Sequence, residues 1–532
     1  MPVVASALSP NLSLNRVIRK PAVTSSGGIV VSQNRAASEI GARVLKAGGH
    51  AADAAVATAF ALGVLEPWMS GIGGVGAALV YDAKADKVTG VDFGGRSPKG
   101  LKPEDFPLLP GADGDLFGWP LVKDNRNTVG AKATVAPTEP AGLDLLHRTF
   151  GRAKWADLMA PAIALAEQGP VVDWHTTLIV AGAFADLNQD AGARARFLPG
   201  GAPPVAPPAA APKTVLHLPM TALAASLKHL AADGAQALYH GELARSIAAD
   251  VQAMGGYLTE ADLAAVAPRL VTPLEIAYQG RTIHVLPELN GGPTLAHAFS
   301  HLNQHRPTPA KSPDAATFAA YAAALQQAWA WRLEHMGDNG ERMAPTSTTH
   351  LAVIDRDGNI VTLTQTLLSL FGSRIVLPGS GILMNNGINW FNPVPGGPNA
   401  IAPDARVLAN YAPAIMTGSG RTMGLGGCGG RKILPAVFQL LGLSADFGFD
   451  LDRIFHEPRI DVPNASRIVT DRRMPRAMLD VLETGFDCVS GEPIVSTNPY
   501  TIASAVARSG SLNEGATEPE NPWSEAVAEE SV

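Results

Sequence analysis

Three small hydroxyl residues, Ser347, Thr348 and Thr349, open the stretch "STTHLAVIDRDGNIVTLTQT". Thr349 to Asp355 and Asn359 to Thr366 are β-branched runs, and Arg356-Asp357-Gly358 suits a three-residue hairpin loop with glycine at its left-handed position. The register that sets Asp355 opposite Asn359 also sets Thr348 opposite Thr366, with both side chains on one face and Thr364 two residues along. Cross-strand threonine pairs are ordinary sheet stabilisers, so a plain strand explains much of this pattern. The chemical alternative is a chain cut before Thr348. Its hydroxyl would then be a nucleophile and its new α-amine the adjacent base, since an α-amine titrates at about 7.7–8.0 and is partly neutral near pH 7. His350 shares the face of Thr348, but with that amine available its expected role is structural.

The elements around this hairpin must hold it. "ASEIGARVLKAGGHAADAAVATAFALGVLEPW" reads as two helices split at Gly48-Gly49, followed by a glycine-rich loop from Ser70 to Gly76 and a strand, turn and strand. Helical patterns follow at Gly142–Phe150, Trp155–Gln168, Ala222–Ala232 and Ala235–Met254, and Ser312-Pro313 is the expected start of a helix running to about Glu334. "PGGAPPVAPPAAAPK", from Pro199 to Lys213, reads as a surface excursion. Short strands are expected at "THLAVID", "NIVTLTQT", "SRIVLP" and "RTMGLG". Residues 509–532 carry six glutamates and no basic residue, and are expected to be poorly ordered.

Composition narrows the function. The 532 residues are 46% apolar and 17% charged, enough for a large core, and the 54 glycines and 42 prolines are spread along the chain as turns. A net charge of −7, without a basic stripe, argues against a nucleic-acid partner. The two cysteines, Cys428 and Cys488, form no metal-ligand spacing, and neither a metal nor another cofactor is expected. The start of the chain lacks the charged-then-apolar order of a secretion signal, and Ala51 to Leu65 is too short to cross a bilayer, so a cytoplasmic location without a membrane partner is expected.

Four blocks carry a family resemblance. These are "VLKAGGHAADAAVA" with "GIGGVG", the helix "APAIALAEQGP", the block "TTHLAVIDRDGN", and "FGSRIVLPGSGILMNN" leading to "GLGGCGGRKI". In this order the chain resembles the γ-glutamyltranspeptidase family, whose α/β fold is the αββα four-layer sandwich of N-terminal-nucleophile hydrolases. The resemblance implies a precursor that cuts itself between Ser347 and Thr348 into a large subunit (1–347) and a small one (348–532), which stay together as one structural unit. It assigns Thr348 as nucleophile, Thr366 as its hydrogen-bonding partner, and Gly429 and Gly430 as the oxyanion hole, where only glycine lets backbone N–H groups approach so closely.

The pattern departs from the family at the recognition pocket. Gly94 stands where the family has an arginine for the substrate α-carboxylate, with Arg96 two residues on; Leu368 replaces an asparagine and Trp390 an aspartate of the α-amino site. Ala409 and Asn410 replace paired serines, and "LNGG" at Leu289 to Gly292 replaces "SSGG". A zwitterion should bind such a site poorly, because an unpaired buried charge is costly. The expectation is an amide hydrolase acting on γ-glutamyl or related small amides, with water favoured over an acceptor; acylase activity on oxamate-like or acyl β-lactam amides is the alternative. Arg96, Arg374 (in place of a glycine), Arg431 and Lys432 are candidates to gather round a carboxylated acyl donor, and Asn410 is a further substrate-binding candidate. An uncut, non-catalytic binding subunit is the alternative of another class.

Overall fold

The computed structural model describes residues 18–112, 119–206, 215–308, 310–336, 347–463, 465–471, 473–491 and 501–532. Two seven-stranded antiparallel sheets lie face to face. The first runs Glu525–Ala528, Ile29–Ser32, Ser347–Ile354, Ile360–Leu368, Val75–Asp82, Lys87–Phe93, Arg269–Val271. The second runs Val23–Ser25, Leu512–Thr517, Ile502–Ser509, Arg421–Cys428, Ala414–Thr417, Arg281–Val285, Leu274–Tyr278. Helices Arg35–Lys46 and Ala51–Leu65 cover the outer face of the first sheet, and Gly291–Gln304, Ala315–His335 and Ile433–Phe447 cover the second, completing the αββα sandwich.

Residues 51–64 are buried without exception, because that helix is packed on every side, as its nearly continuous apolar composition requires. The hairpin keeps the expected register from Thr349, opposite Gln365, to Ile354, opposite Ile360, with Gly358 left-handed at φ 90°. Trp155–Gln168 has its expected bounds. The stretch from Ala235 to Met254 is instead a short turn, Ala235–Leu238, and a helix, Gly241–Ala253, separated where Gly241 takes φ 82°. The helix expected to start at Ser312-Pro313 starts at Ala315 under Asp314, whose carboxylate accepts from Thr317 N–H at 2.9 Å. "SRIVLP" forms a loop rather than a strand, with Arg374 at φ 60° and a single bridge from Val376 to Leu383. The proline-rich excursion is described only to residue 206; the remainder lies outside the described residues.

The acidic tail corrects the expectation of disorder. Leu512–Thr517 and Glu525–Ala528 are built into different sheets. Its glutamates meet cations from elsewhere: Glu514 pairs with Arg421 at 2.8 Å, Glu529 with Arg356 at 3.0 Å, and Glu518 with the buried Arg459. A local charge run overlooks partners supplied by distant segments.

Candidate active site

The site forms at one end of the central hairpin, on the face turned toward the second sheet. At Ser347 the register slips, so that Ser347 sits opposite Leu368, and a bulge falls at Thr348. Bulges of this kind re-aim a side chain and interrupt pairing. Leu368 is held at φ 88°, strained for a branched residue, and its N–H donates to Thr366 Oγ1 at 2.8 Å. Thr348 is completely buried, and its Oγ1 has no hydrogen-bond partner among the described residues. The next side chains alternate away: Gln365 donates from the opposite face to Ala59 O at 2.9 Å and Ser70 Oγ at 3.0 Å. The glycine-rich loop crosses close behind, since a Cβ on Gly74 would lie 2.6 Å from the Thr366 carbonyl oxygen.

His350 occupies the same inter-sheet face but is fully committed. Thr362 Oγ1 donates to Leu425 O at 3.0 Å, so it accepts from His350 Nε2 at 3.1 Å, and His350 Nδ1 accepts from Thr364 Oγ1 at 2.9 Å. This network assigns the Nε2–H tautomer. Burial pulls the imidazole pKa down to about 3, so the ring is neutral and structural.

The second sheet supplies the strand Arg421–Cys428, whose glycines permit close approach. Gly424 faces Ile360, Leu425 O takes the Thr362 bond, and a Cβ on Gly426 would sit 2.6 Å from His350 Nδ1. Along this strand the facing hairpin residue moves from Ile360 at Gly424 to His350 at Gly426, toward the end of the hairpin that carries Thr348, and the strand ends at Cys428. There the backbone turns through left-handed Gly429 (φ 125°) and Gly430 (φ 64°) into the 3-10 turn Gly430–Lys432 and the helix Ile433–Phe447. First-turn N–H groups of a helix lack intrahelical partners and carry partial positive charge, which suits an oxyanion. Cys428 is packed against the Gln33 amide, and burial raises its thiol pKa, so it is no nucleophile. Arg431 and Lys432 lie near buried Asp461, whose pKa burial raises against the pull of both cations.

A cavity of about 650 Å³ opens off the same end of the first sheet. Thr366 pairs with Val75, and a Cβ on cavity-lining Gly95 would meet Val75 Cγ1 at 3.0 Å. Three strand spacings of about 4.8 Å therefore separate Thr348 from the Gly94 backbone, about 14 Å across the sheet. Arg96 lines this cavity; Arg374 does not. Arg374 donates to Gly372 O at 2.8 Å and Thr128 O at 3.3 Å and pairs with Asp186 at 3.4 Å. Asn410 is buried and accepts from Arg332 at 3.2 Å. Trp390 is fully buried, 6.4 Å from the Tyr411 ring centroid.

Sequence reasoning missed Arg332 and the arginines opposite Arg96. Arg332 is fully buried near the end of Ala315–His335, where it also donates to Asn290 O and Ala409 O, both at 2.7 Å. It thereby ties together the two loops walling the cavity, and burial draws its pKa down to about 9. Its signal was available: an arginine at a helical position shared with Phe318, Leu325 and Trp329 has to find acceptors inside the protein.

The family model described as Gamma-glutamyltranspeptidase matches residues 37–346 and 326–528. The chain is 34% identical over 483 residues to the Acylase ACY 1 proenzyme of Pseudomonas sp. (strain V22), covering 83% of each. It is 29% identical over 512 residues to the Glutathione hydrolase proenzyme of Bacillus subtilis (strain 168), covering 86% of this chain and 84% of that one. The crystal structure of cephalosporin acylase from Bacillus halodurans superposes with a TM-score of 0.84 at 25% identity, covering 98% of this chain and 99% of the other.

Proposed function

The chain belongs to the gamma-glutamyltranspeptidase family, and from that premise we propose that it is a self-cleaving amide hydrolase that uses Thr348 to pass acyl groups to water. Cleavage of the Ser347–Thr348 bond frees the Thr348 amine. That amine takes the proton of Oγ1 as the oxygen attacks the amide carbon, and the backbone N–H groups of Gly429 and Gly430 stabilise the resulting oxyanion. Collapse breaks the C–N bond, with the proton delivered to the departing amine, and leaves an ester on Thr348. Water, deprotonated by the Thr348 amine, attacks that ester, the ester C–O bond breaks, and the amine returns the proton to Oγ1 as the acid leaves. The role left for Thr366, whose own Oγ1 is fixed by the Leu368 N–H at 2.8 Å, is to hold the Thr348 Oγ1 once the chain is cut.

Acylase-type donors are the favoured substrates, ahead of γ-glutamyl ones. One observation carries this reading: where a zwitterion would need partners, Gly94 offers no side chain, Trp390 is buried without charge, and Asn410 is bound to Arg332. Similarity to an acylase proenzyme and to a cephalosporin acylase structure supports it. Water is preferred because a pocket lacking those partners also gives an amino-acid acceptor little to hold.

Mass spectrometry of purified protein should find a chain beginning at Thr348, and Thr348→Ala should give a single uncut chain without turnover. Rates on γ-glutamyl, oxamate and acyl β-lactam amides then rank the donors. Faster turnover of γ-glutamyl anilide than of every other amide contradicts the acylase reading.

A further inference from the structure

Two buried side-chain oxygens on the inter-sheet face beside the hairpin's end have no partner among the described residues: Thr348 Oγ1 and Gln33 Oε1. Ala352 pairs with Val31 and Leu351 with Ser32, so Gln33 leaves its strand at the level of His350, on the face that buries Val31 and Ala352 against the second sheet. Thr348 lies one diagonal step further along the neighbouring strand, and such neighbours sit about 7–8 Å apart, within reach of a long side chain. Gln33 is 1% exposed, and its Nε2 donates to Cys428 Sγ of the second sheet. Cys428 is two residues beyond Gly426, whose Cβ would touch the His350 ring, so the strand Arg421–Cys428 passes over His350 and then over Gln33. The imidazole is turned the other way, to Thr362 and Thr364, and does not satisfy the Gln33 oxygen.

An amide oxygen left unpaired in the interior costs stability, so its presence at this place asks for a functional partner. Cutting before Thr348 supplies one. The cut turns a backbone amide with one N–H into an amine with two N–H groups and a lone pair. For that lone pair to take the Oγ1 proton, the N–H groups need acceptors elsewhere.

We propose that Gln33 is a positioning residue for the base: its Oε1 accepts an N–H of the Thr348 amine freed by cleavage, which turns the amine lone pair toward Oγ1. This rests on the reading of Thr348 as an amide-opening nucleophile. The titratable groups packed round this corner suit a neutral amine. Burial keeps His350 in the hairpin unprotonated, keeps the Cys428 thiol protonated, and raises Glu66, which follows the helix Ala51–Leu65 and acts on Cys428, to about 8. Glu518 of the tail is bound by Arg459, and Arg35, beyond Gln33, is exposed and pairs with Glu39 at 2.9 Å. In Gln33 the amine meets a neutral amide; a carboxylate there would favour the ammonium form, which cannot act as base.

The test compares Gln33→Met, which fills the space without an acceptor, with Gln33→Glu, which keeps the shape and accepts with both oxygens. Each is assayed on the fastest of the γ-glutamyl, oxamate and acyl β-lactam amides. Both variants should cut themselves, because the uncut chain has no free amine to place. Gln33→Met should lose about tenfold to a hundredfold in kcat with KM little changed, the range of a hydrogen bond to a charged group. Gln33→Glu should recover kcat at high pH, with the acid limb of its profile moved up because a carboxylate stabilises the ammonium. Carbamoylation of the Thr348 amine by cyanate, followed by mass spectrometry across pH, reads the same shift without turnover. On a Thr348→Ala background that stays uncut, Gln33→Met should melt close to its parent. An unchanged kcat and acid limb in both variants overturn the role of Gln33 and leave the Thr348 reading intact. Should Gln33→Met fail to fold or to cut, the cyanate profile of Gln33→Glu alone decides, and one that matches the wild type makes the residue structural. A wild-type chain that is active while still uncut overturns both readings.

Discussion

Replacing His350 by glutamine separates a structural histidine from a catalytic one. Glutamine can accept from Thr364 through its oxygen and donate to Thr362 through its nitrogen, so the chain ending at Leu425 O survives in altered shape. The native imidazole titrates at about 3 rather than 6.5, and the ring is wholly buried. Between these values the unfolded chain binds a proton that the folded chain refuses, so stability falls as pH drops from about 6.5 toward 3. At 1.36 kcal/mol per pH unit, lowering pH from 7 to 5 costs about 2 kcal/mol through this one group. His350→Gln should begin about 1–3 kcal/mol less stable at pH 7 from imperfect packing and should lack that 2 kcal/mol of acid loss. Urea unfolding followed by tryptophan fluorescence, at pH 7 and pH 5 on a Thr348→Ala background that stays uncut, measures the difference; the other histidines cancel between the two proteins. In self-cleaved protein the acid limb of kcat/KM should stay where the Thr348 amine places it. Equal acid losses in both proteins, or an acid limb displaced by the substitution, would refute the structural assignment.

Glu139 gives the opposite pH response: burial raises its pKa to about 8, so the folded chain keeps a proton that the unfolded chain releases above 4.5, and stability falls as pH rises from 4.5 to 8. Glu139→Gln should therefore gain stability over the wild type at pH 8 and little at pH 4.5, measured by thermal melts at both. Gly426→Ala pushes a methyl into the His350 ring, and should cost about 1–3 kcal/mol and slow both cutting and turnover, seen by gel and by anilide assay. Arg332→Met removes donors from Asn290 O, Ala409 O and Asn410, and should raise KM more than it lowers kcat, with Arg332→Lys recovering part of the loss. Stopping the chain after Ser509 should give insoluble protein, because each sheet loses a strand.

What could be read from the sequence was what neighbouring residues determine. The loop Arg356-Asp357-Gly358 is local, and the register it sets holds from Ile354 to Thr349, whereas the pairing expected of Thr348 with Thr366 is interrupted by the bulge at Thr348. The helix Trp155–Gln168 was legible for the same reason. Failures came where a distant segment decides. "SRIVLP" has strand-forming side chains, yet Ser373 N–H bonds to Met384 O at 2.9 Å and Arg374 turns left-handed toward Asp186. Arg96 was singled out, but Arg406, its partner across a single antiparallel bridge, belongs to a segment whose proximity no local pattern announces.

The same contrast bears on how the active site is made. The strand Ser347–Ile354 pairs with Ile29–Ser32 on one side and Ile360–Leu368 on the other, and Ile29–Ser32 pairs in turn with Glu525–Ala528 near the chain's end. Both sheets thus draw strands from either side of residue 347. The bulge at Thr348 and the strained Leu368 are held only when the Ile360–Leu368 strand is itself held by Val75–Asp82, and the oxyanion role proposed for Gly429 requires that the second sheet has docked on the first. Self-cleavage therefore reports on assembly of the whole sandwich. Substitutions far from Thr348 that loosen the tail strands should slow cutting in proportion to the stability they remove, whereas Thr348→Ala should block cutting without lowering the melting temperature of the uncut chain.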